Sequence, residues 1–505
     1  MFVSLLNSRT RTGRFLRTLS SSYFLLLAAT VYSLGVVPVI LTYTGKTSLG
    51  LWALVSQFGT YLTLLDAGLS GACIRQFVGP IVRNDTGELV AKFQNAFFVS
   101  CLQGLLIAVA GLAGGILVPW LAIPGDQARV FTALFAAQCL LVAIEFPFRP
   151  FNSLLLAQQR FEFNYLATAA GMMISLGLVW FGMAHGWGLW SLIIAGAFQA
   201  GVKTVVSTLC VARLWGLRRF FTEVHVRIQT IQHLFLESGS FFSGTFFGTL
   251  SGMAQSTLLS RWFGLEGVAS WNVGSKAANL LFQLLSKFFE SSFAGLSELY
   301  EAGRADLLLR RLSQLFGWVL GISLFAAAGV CLLNQSFVQF WTRARVDWPL
   351  GGDGAMALWL VGLTLSRGLA EQTKILLVWR WIRLGPAVEF GIWICLGFFF
   401  SQAGHFPGYL VSVALAPMMA AGVVYSLGLR DQYAAMGLSL LPKESRLLIW
   451  TGGFFFLVSI LLLLTNQSVG VHVVGAILAA VVFGCLAIPR LRRFLSSPPP
   501  AGGVA

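Results

Sequence analysis

Fourteen apolar runs, each long enough to cross a bilayer, recur along this chain, and that recurrence constrains its fold more than any other feature. Their limits are 23–42, 50–78, 93–122, 130–150, 164–184, 189–212, 234–260, 271–299, 312–338, 356–379, 386–402, 409–428, 447–464 and 471–488. A helix needs about 20 apolar residues to span the hydrocarbon core. Backbone groups in lipid find no water, so an isolated span must be helical. The runs use up most of the 505 residues and leave no room for a soluble catalytic domain. Hydrophobic residues make up 57% and charged residues only 10%. A water-soluble globule of this size could not cover that apolar surface, and disorder, collagen and coiled coil are excluded by the same composition.

Charge predicts the orientation. The net charge of +15 comes from 34 Lys and Arg against 19 Asp and Glu. Even-numbered loops and both tails hold 24 of the cations, among them Arg9, Arg11, Arg14 and Arg17, while odd-numbered loops hold 5. Both termini are therefore expected in the cytoplasm, with an even number of crossings. The first run is too long for a signal-peptide core and reads as an uncleaved span. No basic patch is interleaved with aromatics, so no nucleic-acid partner is expected. The 7 cysteines are scattered without C-x-x-C, and the 5 histidines lack ligand spacing, so neither a disulfide framework nor a metal site is expected. His225 and His233 read as interfacial residues beside the central loop. No phosphate-binding G-x-x-x-x-G-K-[ST] or Ser/His/Asp cluster occurs, and neither an enzyme nor a cofactor is predicted. The sequons at Asn334 and Asn466 read as chance matches, and the tail at Pro498 as a disordered end.

An internal repeat organises the spans. At a constant offset of 219, Gly45 falls on Gly264, Trp52 on Trp271, Lys92 on Arg311 and Phe97 on Phe316. A weaker match near 222 joins the fourth span to the tenth. Six spans separate the copies, which makes the repeat parallel, about an axis along the membrane normal. The expected fold is an all-α polytopic membrane protein of about 14 transmembrane helices. Two six-helix bundles would occupy 23–212 and 234–428, joined by a cytoplasmic linker at 213–233. Two further helices would fill 429–488, with cytoplasmic tails at 1–22 and 489–505.

Ionisable residues inside the spans mark the candidate site. Each costs about 2.5–3.5 kcal/mol at mid-bilayer on insertion scales. Lys276, Asn279, Gln283, Lys287, Glu290 and Glu298 recur at helical spacing on the eighth span, opposite Ala277, Leu281, Leu284 and Phe288. Such a stripe belongs in a watered cavity, although Lys287 and Glu290 stand at i,i+3 and could pair locally. Arg367, Glu371 and Lys374 share one face of the tenth span, and the matching stretch of the fourth carries Glu145 and Arg149 around Pro147. Arg75 on the second span corresponds to Ala294 on the eighth. Asp66, in Thr63-Leu64-Leu65-Asp66-Ala67-Gly68-Leu69, lies away from that stripe and suits a cap or a pairing with a neighbouring helix. The expected substrate-binding residues are Lys276, Asn279, Gln283, Lys287, Glu290, Arg367, Glu371, Lys374 and Arg75; Asp66, Glu145, Glu290 and Glu371 are the carboxylates open to ion coupling.

Gly50-Leu51-Trp52-Ala53-Leu54, followed by Leu64-Leu65-Asp66-Ala67-Gly68-Leu69, resembles the G-L-W-A-L … L-L-D-x-G-L pattern of bacterial polysaccharide-biosynthesis flippases. These are the O-antigen-type (Wzx-like) translocases of the MOP superfamily, relatives of MATE transporters and of the lipid II flippase. The resemblance implies export of an undecaprenyl-diphosphate-linked oligosaccharide for cell-surface or exopolysaccharide assembly. Movement would run from the cytoplasmic to the periplasmic leaflet of the inner membrane, by alternating access. Some relatives couple to proton or sodium gradients, and association with a polysaccharide polymerase and export machinery is implied. The Arg–Asp pairing of the first span of lipid II flippases has no counterpart in 23–42, which contains no charge, so no site residue is carried over. On the residues alone, a cationic cavity would hold the diphosphate by Lys and Arg, and the lipid tail would stay among membrane lipids. A MATE-like small-molecule exporter and a membrane glycan polymerase remain the alternatives; short outer loops disfavour the second.

Overall fold

The computed structural model describes residues 11–496 apart from 67, 122, 159–160, 222–227, 302, 350, 377, 403, 405, 436 and 466–468. Arg9, Arg160, His225, Arg227, Asn466 and the tail at Pro498 lie outside the described residues, as do the side chains of His233 and Glu298. Among the described residues, each of the fourteen apolar runs falls mainly on helix. The helices are α1 (Arg11–Tyr43), α2 (Gly45–Thr63), α3 (Leu69–Arg83), α4 (Thr86–Leu112), α5 (Leu117–Trp120), α6 (Gly125–Glu145), α7 (Arg149–Ala157), α8 (Phe161–Ala184), α9 (Trp190–Trp215) and α10 (Ile228–Gly274). They continue as α11 (Lys276–Glu301), α12 (Ala305–Thr342), α13 (Gly352–Ile375), α14 (Trp379–Gln402), α15 (Phe406–Val424), α16 (Arg430–Ala435), α17 (Lys443–Leu464) and α18 (Val469–Ser496). Among the described residues, 10 helical stretches are long and apolar enough to cross a membrane, and a shorter apolar one covers Val471–Leu486. This is a multi-pass membrane protein. The runs on α10, α11 and α13 fall outside those 10, and α11 and α13 carry most of the candidate charges.

The second run departs from a single continuous span. It breaks after Thr63 into a 3-10 turn, Leu64–Asp66, and resumes at Leu69 beyond a left-handed Gly68 (φ 79°). Freed backbone at membrane depth must find side-chain partners. Gln103 on α4 donates to the Leu65 carbonyl at 2.6 Å, and Asp66 accepts from the Ser70 amide at 3.1 Å.

The chain divides into two compact units, Met1–Ala269 and Ser270–Ala505. Lipid tails are as apolar as leucine, so helices in a membrane associate through close packing rather than through burial from water. In the first unit Gly104 lets α4 approach α6: a Cβ there would stand 2.6 Å from the Ala143 carbonyl oxygen. Phe77, Phe93, Phe151 and Phe220 form an aromatic core at one end of this unit, with the Phe93 and Phe220 centroids 4.5 Å apart. In the second unit Gly317 and Gly321 of α12 admit Ser445 and Leu448 of α17. Buried polar links add to this packing: Ser323 donates to Thr364 at 3.0 Å, and Asn334 donates to Asp353 at 3.0 Å.

The 219-residue offset holds in the backbone. Gly45 and Gly264 both take left-handed conformations, φ 85° and 68°. Each starts a helical stretch that carries its tryptophan, Trp52 in one copy and Trp271 in the other.

Candidate functional site

The second unit assembles charges from α11 and α13. Helix α11 buries Ala278, Leu285, Phe289 and Leu296. Its polar stripe points away from that face: Gln283 and Glu290 are exposed, and Lys276, Asn279 and Lys287 are half-buried. Leu284 and Phe288, on the apolar side opposite the stripe, are 47% and 41% exposed. The packed face therefore lies one residue further along, about 100° round the helix. In a bilayer an apolar side chain need not be buried in protein.

Five charges alternate in sign across the two helices. Lys287 Nζ lies 2.6 Å from Glu290 Oε2, and Glu290 Oε1 is 4.0 Å from an Arg367 Nη2. Arg367 Nε pairs with Glu371 Oε1 at 3.1 Å, and the same oxygen accepts Lys374 Nζ at 3.0 Å. The local pairing of Lys287 with Glu290 left open by the sequence occurs, Glu371 pairs with both Arg367 and Lys374, and Arg367 joins the two sets into one chain. Three cations face two carboxylates, which leaves a net charge of +1. Glu371 is the buried member at 9% side-chain exposure, whereas Lys287, Glu290, Arg367 and Lys374 lie between 31% and 44%. An ammonium has three donors, and each terminal lysine has one carboxylate partner here, so N–H groups remain for a ligand. Two turns earlier, Asn279 donates to the Ser275 hydroxyl at 3.4 Å. Lys276 has no ion-pair partner among the described residues.

In the first unit the candidates are paired off separately. Asp66 Oδ1 accepts from the Ser70 hydroxyl at 2.8 Å and from Arg149 Nη1 at 3.1 Å. The Arg149 guanidinium also lies 3.7 Å from the Phe146 ring centroid, a cation–π contact. Asp66 thus caps α3 and ties the broken span to α7. Glu145 accepts from Lys203 of α9 at 2.9 Å. Arg75 is exposed on α3.

Two residues of this chemistry escaped the sequence reading. Lys203 stands near the middle of the sixth apolar run, and Glu389 lies inside the eleventh, where it accepts from Ser366 at 2.7 Å. A lone ionisable residue deep in a span was the available signal, hidden in each case by the length of apolar sequence around it.

No protein-family model matches the chain, and no curated protein does. Solved structures do. A lipid II flippase, MurJ, in an inward closed conformation is 12% identical, with 94% of this chain and 99% of that one covered at a TM-score of 0.68. An inward-facing multidrug resistance MATE family transporter of the MOP superfamily is 14% identical, covering 81% and 95% at 0.62. A MOP superfamily transporter from Pyrococcus furiosus, described as having a binding pocket of reverse polarity, is 14% identical, covering 86% and 99% at 0.58. All three are transporters, and the fold of this chain is that of MOP superfamily transporters.

Proposed function

We propose that the protein is a flippase for an undecaprenyl-diphosphate-linked oligosaccharide, working by alternating access from the cytoplasmic to the periplasmic leaflet of a bacterial inner membrane. Both termini are cytoplasmic in this reading. The observation that carries it is the five-charge chain of α11 and α13 with its cationic surplus. A lipid diphosphate brings about two negative charges, which cannot enter hydrocarbon unaided. Lys287 and Lys374 meet it as point charges and Arg367 as a fork. Lys276 extends the positive stripe, while Asn279 and Gln283 suit the glycan hydroxyls. A membrane potential negative inside favours outward movement by about 2.3 kcal/mol per charge per 100 mV.

Ion coupling enters at a carboxylate of the same chain. Protonating Glu290 or Glu371 would release Arg367 or Lys374 toward the diphosphate, so proton and anion would bind cooperatively. Asp66 and Glu145, each held by its own cation, are weaker sites for this step. The glycan delivered outside would pass to a polymerase and export machinery. Likeness to a MATE transporter supports a second reading, an ion-coupled small-molecule exporter; the cationic surplus disfavours an organic cation as its cargo.

The test is the double substitution Lys287→Gln with Arg367→Gln. Lipid-linked glycan should accumulate on the cytoplasmic leaflet while the protein still inserts at normal yield. Undiminished export by that variant would remove the site from the mechanism.

A further inference from the structure

A cavity of about 330 Å³ opens between α6 and α9, within the first unit and remote in sequence from the five-charge chain. Its wall on α9 is built from small residues, Ala197, Ala200, Gly201 and Thr204, which leave the space unfilled. On α6, Leu140 and Ile144 form the rim and are 55% and 61% exposed. That rim continues into an exposed apolar surface of α9 at Ile194, Val205 and Leu209. In a multi-pass membrane protein such a surface is the interface with the bilayer, so the cavity is an indentation of an interface already present.

Water does not suit the indentation, since an apolar cavity gives a water molecule too few polar partners. An empty void forfeits the dispersion contacts of its lining atoms. Hydrocarbon from the bilayer meets both requirements. Length identifies which hydrocarbon. On α9 the groove runs from Ile193 to Thr204, about 16 Å at helical rise. That matches one leaflet, which is half of a core about 30 Å thick. At its inner end Glu145 is engaged by Lys203 at 2.9 Å, near the middle of α9. A polyprenyl tail would overrun a groove one leaflet long.

We infer that the α6–α9 groove is a lipid site holding one acyl chain of a phospholipid from the leaflet at the Trp190 end of α9. The chain lies along the small-residue face of α9 and stops at the Glu145–Lys203 pair. Affinity is modest, because the chain exchanges one apolar surrounding for another; the groove selects by shape.

The full chain is reconstituted in nanodiscs of phosphatidylethanolamine and phosphatidylglycerol, doped with a phosphatidylcholine that carries a diazirine along its acyl chain. After photolysis, adducts are mapped by peptide mass spectrometry. Peptides covering 137–148 and 193–204 should be labelled several-fold above those of lipid-facing α17. Ala197→Trp should bring that labelling down to the α17 level without changing α17, and Gly201→Leu, a smaller filling, should lower it part way. Groove labelling no higher than that of α17 in the unsubstituted protein would overturn the proposal. So would groove labelling that survives both substitutions, or a photoactivatable polyprenyl phosphate that labels the groove in preference to the phospholipid.

Discussion

The two units treat buried charge in opposite ways. The first closes its candidate carboxylates into separate neutral pairs, Asp66 with Arg149 and Glu145 with Lys203. The second strings three cations and two carboxylates together and leaves a positive remainder. A neutral pair at membrane depth satisfies its own partners and can hold helices in place. A charged chain with half-exposed ends is an incomplete structure, and an anion completes it. The difference separates charges that hold the fold from charges available to a substrate, although both sets read alike as intramembrane ionisable residues.

Stability offers the harshest way to break this contrast. Arg149→Ala leaves the Asp66 carboxylate without its counter-charge at 15% side-chain exposure. Losing one partner of a buried pair costs about 3–5 kcal/mol. Lys287→Ala, in a pair exposed at 31% and 44%, should cost at most about 1 kcal/mol. Denaturant unfolding of the two variants in one detergent would measure both. Equal losses would mean that the first unit's pairs are no more structural than those of the second.

Affinity sharpens the contrast from the other side. Glu371→Gln removes the carboxylate that holds both Arg367 and Lys374 and raises the surplus by one charge. One charge at about 8 Å with an effective dielectric constant of about 20 is worth about 2 kcal/mol, or about thirtyfold in affinity. Binding of inorganic pyrophosphate to the full chain should tighten accordingly, and most at low salt. Glu145→Gln in the first unit should leave pyrophosphate binding unchanged. Comparable tightening by both variants would mean that the ligand does not distinguish the units.

Much of this was legible from apolar run lengths, because lipid enforces helix wherever hydrocarbon is crossed. The packed face of α11 was less so. Alternation of polar and apolar residues locates a stripe, but Leu284 and Phe288 are as acceptable to lipid as to protein, and only neighbouring helices decide which apolar residue is buried. The break at Leu64–Asp66 escaped for a related reason. Hydropathy runs smoothly through 50–78, while the Asp-x-Gly that ends the 3-10 turn acts through backbone geometry and hydrogen bonds. The Arg367–Glu290 contact joins residues 77 positions apart, and no local spacing could have announced it.

The smallest effect tests the feature the two copies share. Gly45 and Gly264 both have positive φ, and a Cβ added at either would meet nothing within 4 Å. Alanine there introduces no clash with a neighbour and leaves only the cost of a positive φ, about 1–3 kcal/mol for a residue with a Cβ. Gly45→Ala and Gly264→Ala should therefore each lower stability within that range, and Gly264, at φ 68° and ψ −175°, stands at its upper end in a region essentially confined to glycine. Lys46 and Glu266, beside the two glycines, pair at 3.2 Å, so the sites are neighbours in space and the double variant should depart from additivity by about 0.5 kcal/mol or more. A large loss at one position with none at the other would show that the two turns carry different loads. The likeness of the copies would then lie in backbone course alone, and the division of charge between the units would have no symmetric frame to depart from.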